Sequence, residues 1–167
     1  VQIEAAVLFP ATVEDVFAML SDEAYVRTKA EAMGALEHDV TVRALTTGGA
    51  RIRLERTLPS MVPDFVRPLV GETIEVVQTE EWQPARTDGS RHGELEARIS
   101  NAPVSLSGDI ALMPADEGTT IHRIHVDVRA KVPFVGARIE RAISEVLLMA
   151  ARKEEEVGAR WLAGDRG

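Results

Sequence analysis

Residues 119–162 read TTIHRIHVDVRAKVPFVGARIERAISEVLLMAARKEEEVGARWL, and the hydrophobic period changes in the middle of them. Before Pro133 the period is two: Ile124, Val126, Val128 and Ala130 alternate with Arg123, His125, Asp127, Arg129 and Lys131, as in a strand with one buried face. After Pro133 it is helical. Ile139, Ile143, Val146, Leu147, Ala150, Val157 and Trp161 make one stripe, opposed by Arg138, Glu145, Arg152, Glu155 and Glu156. A strand over 119–132 therefore leads into a C-terminal helix of roughly 25 residues or more, at about 1.5 Å each.

Upstream, period two persists from Leu36 to this strand, broken by turn chemistry at Thr47–Gly49, at Pro84, Asp88 and Gly89, and at Asp116–Gly118. Residues 2–9 form a first strand, with Ile3, Ala5, Val7 and Phe9 on one parity and Pro10 as its stop. Thr12 followed by Asp15 resembles a capping box, and Val13, Val16, Phe17 and Leu20 repeat at helical spacing behind it. Ser21 and Asp22 cap a second short helix that Gly34 ends. The segment MVPDFVRPL, residues 61–69, carries two prolines among apolar residues and reads as a loop with a helical turn. The order is one strand, two short helices, about six strands and one long helix. Consecutive strands make the sheet antiparallel, so the chain is α+β.

The 167 residues fit one domain, with 45% hydrophobic content and no cysteine for a disulfide or thiolate metal site. Nineteen Lys and Arg against 27 Asp and Glu give a net charge of −8, which disfavours a phosphate-binding surface, so no nucleic acid partner is expected. No apolar run of about 18 residues and no signal-like start are seen, so the expectation is a cytoplasmic protein without stable membrane insertion. Nothing in the pattern bears on oligomeric state.

Three segments carry a family resemblance: FPATVEDVFAMLSDEAY at 9–25, GETIEVVQTEEWQP at 71–84 and KVPFVGARIE at 131–140. With the order of elements, they resemble the START-like (SRPBCC) superfamily, and within it an uncharacterised bacterial branch of unknown function. The resemblance spans nearly all of 1–167. It implies a helix-grip fold, a strongly curved antiparallel sheet of about six or seven strands wrapped around the C-terminal helix, with a hydrophobic cavity between them. It says nothing of which ligand is carried, because fold does not fix function.

Parity places polar residues among apolar ones, and these are the candidate site. His38 shares parity with Val40 and Val42, Arg56 with Ile52, Leu54 and Leu58, Gln78 and Glu80 with Ile74 and Val76, and His122 with Ile124 and Val126. Either they reach the cavity, or a register shift puts some in water, or Arg56 and Glu80 form a structural ion pair. Arg56, Gln78, Glu80 and His122 are taken as ligand-binding residues, with Phe65 in an apolar lid or plug and Ile143 and Leu147 on the helix face. Glu154–Glu156 reads as a solvated helix face, and Gly158 as a bend or a close contact.

His122 and His125 fall on opposite faces of a strand, so shared metal coordination is not expected. Phosphate-loop, dinucleotide and serine-hydrolase signatures are missing, and no cofactor is expected. Three functions remain: carriage of a small hydrophobic molecule such as a lipid, isoprenoid or polyketide; a cyclase or dehydratase using His122 or Glu80 as acid or base; or a protein-interaction module.

Overall fold

A computed structural model describes residues 1–60 and 62–166. Seven strands form one antiparallel sheet: β1 (Gln2–Phe9), β2 (Glu37–Ala44), β3 (Ala50–Pro59), β4 (Thr73–Trp82), β5 (Arg91–Ile99), β6 (Val104–Pro114) and β7 (Thr120–Ala130). Their spatial order is β1-β7-β6-β5-β4-β3-β2. The helices are α1 (Val13–Leu20), α2 (Glu23–Ala32), the single turn α3 (Arg67–Val70) and the 27-residue α4 (Gly136–Leu162).

The ends of the short helices are set by the residues that the sequence singles out. Thr12 accepts a hydrogen bond from the Asp15 amide, and Asp22 from the Ala24 amide, so α1 and α2 each start on a side-chain cap. Gly34 follows α2 at φ 88°, a conformation that costs a residue with a Cβ.

β1 and β2 are consecutive in sequence yet lie at opposite edges of the sheet, so α1 and α2 must cross its open side. Their apolar faces, Val13, Val16, Met19 and Leu20 from α1 and Tyr25, Val26 and Ala30 from α2, close one end of the concave face. α4 approaches most closely at β1 and β7. At its C-terminal half, Gly158 presses on β1: a Cβ there would lie 2.3 Å from Phe9 Cε1, so the close-contact reading of this glycine holds. Gly108 plays a similar part within the sheet, where a Cβ would fall 2.0 Å from the His125 carbonyl oxygen of the neighbouring strand. Such an approach suits a strongly coiled sheet.

The resulting core is uneven. Phe9, Tyr25 and Trp82 are fully buried at the α1–α2 end. Towards the other end the same face becomes half-buried: along β3 from Ile52 and Leu54 to Arg56 and Leu58, and along β4 from Trp82 and Glu80 to Gln78, Val76 and Ile74. A second, smaller cluster of Val66, Val70, Val104 and Ile139 seals that far end beneath α3. Among the described residues no helix is long and apolar enough to cross a membrane.

Candidate functional site

The strand register settles which polar groups point inward. Leu54 lies opposite Gln78, Ile52 opposite Glu80, Arg56 opposite Val76 and His38, and Leu112 opposite His122. All five polar candidates thus sit on the concave face. Four of them converge; His38, on the edge strand, pairs instead with Glu31 of α2 at 3.0 Å and stays partly exposed.

Arg56, Gln78, Glu80 and Trp82 form a chain of hydrogen bonds across β3 and β4. Arg56 donates to Gln78 Oε1 at 3.2 Å, and Gln78 Nε2 donates to Glu80 Oε1 at 3.0 Å. Glu80 Oε2 accepts from the Trp82 indole N–H at 3.0 Å. The amide of Gln78 therefore links Arg56 to Glu80, where the sequence left open a direct ion pair.

Facing this chain is a second group that sequence reasoning missed. Lys29 on α2 donates to Glu154 Oε1 on α4 at 3.2 Å, and His122 Nδ1 lies 4.0 Å from the same oxygen. Glu154 is 7% exposed, so its reading as part of a solvated charge run is corrected. Its neighbours explain why: it continues the stripe of Leu147, Ala150, Val157 and Trp161, three or four residues from each adjacent member. Tyr25, four residues before Lys29 and on the same face of α2, completes the cluster, its ring edge-on to Trp161.

The electrostatics follow from burial and pairing. Burial alone would push the Glu154 carboxyl up, but Lys29, His122 and Arg56 outweigh it and hold it below the ordinary carboxylate value. Burial lowers His122 against the opposing pull of Glu154 and Glu80, so the imidazole is neutral at pH 7 and its positive charge acts on Glu154 only in acid. Burial likewise lowers Arg56 and raises Tyr25. His122 is sandwiched by aromatic rings, with Phe9 at 6.4 Å and Trp82 at 5.8 Å between centroids.

Several buried atoms of this cluster have no partner among the described residues: Arg56 Nε, the Tyr25 hydroxyl and both His122 ring nitrogens. Buried polar atoms are normally satisfied, so four atoms in one cluster without a partner among the described residues are its distinguishing feature. Beside them lies a small space of about 10 Å³ between Leu20, Val26, Lys29, Ile52, Leu54, Gln78 and Glu80, room for about one water. A larger hollow of about 310 Å³ opens on the surface among Thr12, Glu14, Asp88 and Pro114, remote from this chemistry.

The apolar candidates flank the open side of the grip. Ile143 and Leu147 pack against the core yet remain partly accessible, as do Leu58, Val76 and Leu106 on the sheet. Leu58, Val76 and Leu106 share the concave face of the sheet with Arg56 and Gln78, and Ile143 and Leu147 share the α4 stripe with Glu154. Phe65 is half-buried at the far end, with the Arg138 guanidinium 3.8 Å over its ring. Met61, which the sequence reading also places in this loop, lies outside the described residues. Among the described residues no group of three or more His, Cys, Asp or Glu is placed to hold a metal ion.

The fold is shared by solved structures of other proteins. A STAR-related lipid transfer protein from Xanthomonas axonopodis superposes with a TM-score of 0.62 at 15% identity, over 96% of this chain and 84% of that one. Norcoclaurine synthase from Thalictrum flavum superposes at 0.60 and 11% identity, over 100% and 96%. The chain itself belongs to the family described as "Protein of unknown function (DUF2505)", whose model matches residues 4–162. A Mycobacterium tuberculosis relative, the uncharacterized protein Rv0481c, is 25% identical over 115 residues, 68% of this chain. The match spans 66% of that relative's length.

Proposed function

We propose that this protein binds a small hydrophobic molecule between the half-buried apolar faces of the sheet and α4, with the ligand's polar head at the buried cluster of Arg56, Gln78, Glu80 and His122. The observation that carries the reading is that half-buried apolar side chains of the sheet and α4 lie on the same inner faces as a buried cluster that retains unpartnered hydrogen-bonding atoms. Binding sites commonly combine these two elements: apolar walls supply affinity, and a few convergent polar groups fix orientation. The likeness to a lipid transfer protein supports this reading at the level of fold. Phe65 and its neighbours would then bound the site at the α3 end.

The test is an organic extract of the purified protein, analysed by mass spectrometry, together with titration by an uncharged solvatochromic dye. A stoichiometric lipophilic species, or saturable dye binding that an aliphatic alcohol displaces, is expected. An empty extract with no saturable binding would overturn the reading.

A second reading has one observation of its own. A neutral, buried imidazole beside a carboxylate is equipped to act as a general base. Under that reading the native protein, and not His122→Gln, converts the molecule it binds. Conversion that is equal in both would exclude it.

A further inference from the structure

We infer that the head group this site accepts is uncharged, a hydroxyl or a carbonyl, so that the ligand class is a neutral lipophilic alcohol or ketone, neither a carboxylate or phosphate ester nor an amine. The inference rests on the binding site proposed above and adds the chemistry of its occupant.

The first argument is charge balance. The cluster carries two formal cations, Arg56 and Lys29, and two formal anions, Glu80 and Glu154, and each is already engaged. Lys29 is paired with Glu154, and Arg56 is linked to Glu80 through Gln78. His122, 3% exposed, is held uncharged by its burial. An added anion would leave the buried cluster with net negative charge, and an added cation with net positive charge. A low-dielectric interior penalises either strongly. A neutral head group leaves the balance intact.

The second argument is the kind of valence left open. Arg56 Nε can only donate. The neutral His122 ring offers one donor and one acceptor, and the Tyr25 hydroxyl can do both. A hydroxyl also both donates and accepts, and a carbonyl can take Arg56 Nε–H, the Tyr25 O–H or the ring N–H. An ionised carboxylate or phosphate could accept from the same donors, but would bring its negative charge towards Glu80 and Glu154. An ammonium donates only and would meet Arg56 and Lys29. Open donors and acceptors side by side suit a group that both donates and accepts, and the charge balance of the cluster disfavours an ion of either sign.

The experiment compares three probes that share one alkyl chain, decanol, decanoate and decylamine, by displacement of an uncharged dye from the full chain at about pH 8, where the acid and the amine are both ionised. Decanol is expected to bind about tenfold or more tighter than either charged probe. Glu80→Gln, which keeps an acceptor for the Trp82 N–H but removes one negative charge, should narrow or reverse the gap between decanol and decanoate. Decanoate or decylamine binding as tightly as decanol to the native protein would overturn the neutral-head assignment while leaving the binding site standing. An unchanged gap between decanol and decanoate in a folded Glu80→Gln would also overturn it, since the gap would then owe nothing to cluster charge. If none of the three probes binds, the site itself fails, and this inference with it.

Discussion

The Lys29 ammonium on α2 donates to Oε1 of Glu154 on α4 across 3.2 Å, with only 11% and 10% of the two side chains exposed. This ion pair ties the helix that closes one end of the grip to the helix that runs along it. Removing one partner of a buried pair leaves an uncompensated charge, so Lys29→Met should cost about 3–5 kcal/mol in urea unfolding. The double variant Lys29→Met with Glu154→Leu should recover most of that loss. Additive losses in the double variant would mean that the two groups do not interact.

Acid should destabilise the fold in two stages. The His122 pKa is depressed in the native state by burial, so below the ordinary imidazole value of 6.5 the unfolded chain takes up its proton first and stability falls. Glu154 is also depressed, because Lys29, His122 and Arg56 together outweigh its burial. Its contribution is present above the ordinary 4.5 and is lost as pH falls through its folded value. Unfolding free energies measured from about pH 8 to 5 should therefore decline, and His122→Gln should flatten this upper part of the decline. A decline of the same slope in His122→Gln would assign the effect to other groups.

Gly158 should tolerate no side chain without a response from Phe9. A Cβ would sit 2.3 Å from the Phe9 ring, and overpacking of this kind costs about 1–3 kcal/mol. Phe9→Leu in the same chain should relieve part of the penalty of Gly158→Ala. A melting temperature unchanged by Gly158→Ala alone would show that α4 lies farther from β1 than described.

Two positions on α4, two turns apart, should separate folding from binding. Ile139, 2% exposed, belongs to the cluster that seals the far end, and Ile139→Ala should cost about 2–5 kcal/mol. Leu147 is only partly buried, so Leu147→Ala should cost less stability while weakening dye binding. Equal losses of stability at both positions, with binding intact, would count against a ligand at Leu147.

Much of this architecture is legible in the sequence because a strand offers a side chain only two directions. The inward placement of Arg56, Gln78, Glu80 and His122 followed from parity with their apolar neighbours, and the register agrees with it. Glu154 escaped because three consecutive glutamates read as solvent-facing, although its spacing from Leu147, Val157 and Trp161 places it on the buried stripe. Lys29 was hidden in the same way behind Tyr25 and Val26. Helical period gives the direction of Ile143 and Leu147 but not the separation of α4 from the sheet. That separation depends on α1 and α2 filling one end of the concave face and leaving the other half-covered. The convergence of α2, β3, β4, β7 and α4 on one cluster is a tertiary property that no local pattern contains.

The central claim, that a ligand's head reaches the buried cluster, is tested most directly by nuclear magnetic resonance during titration with decanol. The His122 ring nitrogens and the Trp82 indole N–H report from inside the cluster, while the exposed His125 on the outer face of the same strand serves as reference. Saturable shifts at His122 and Trp82, with His125 unmoved, are the predicted result. Saturable binding that leaves both cluster residues unperturbed would place the ligand elsewhere and contradict the account.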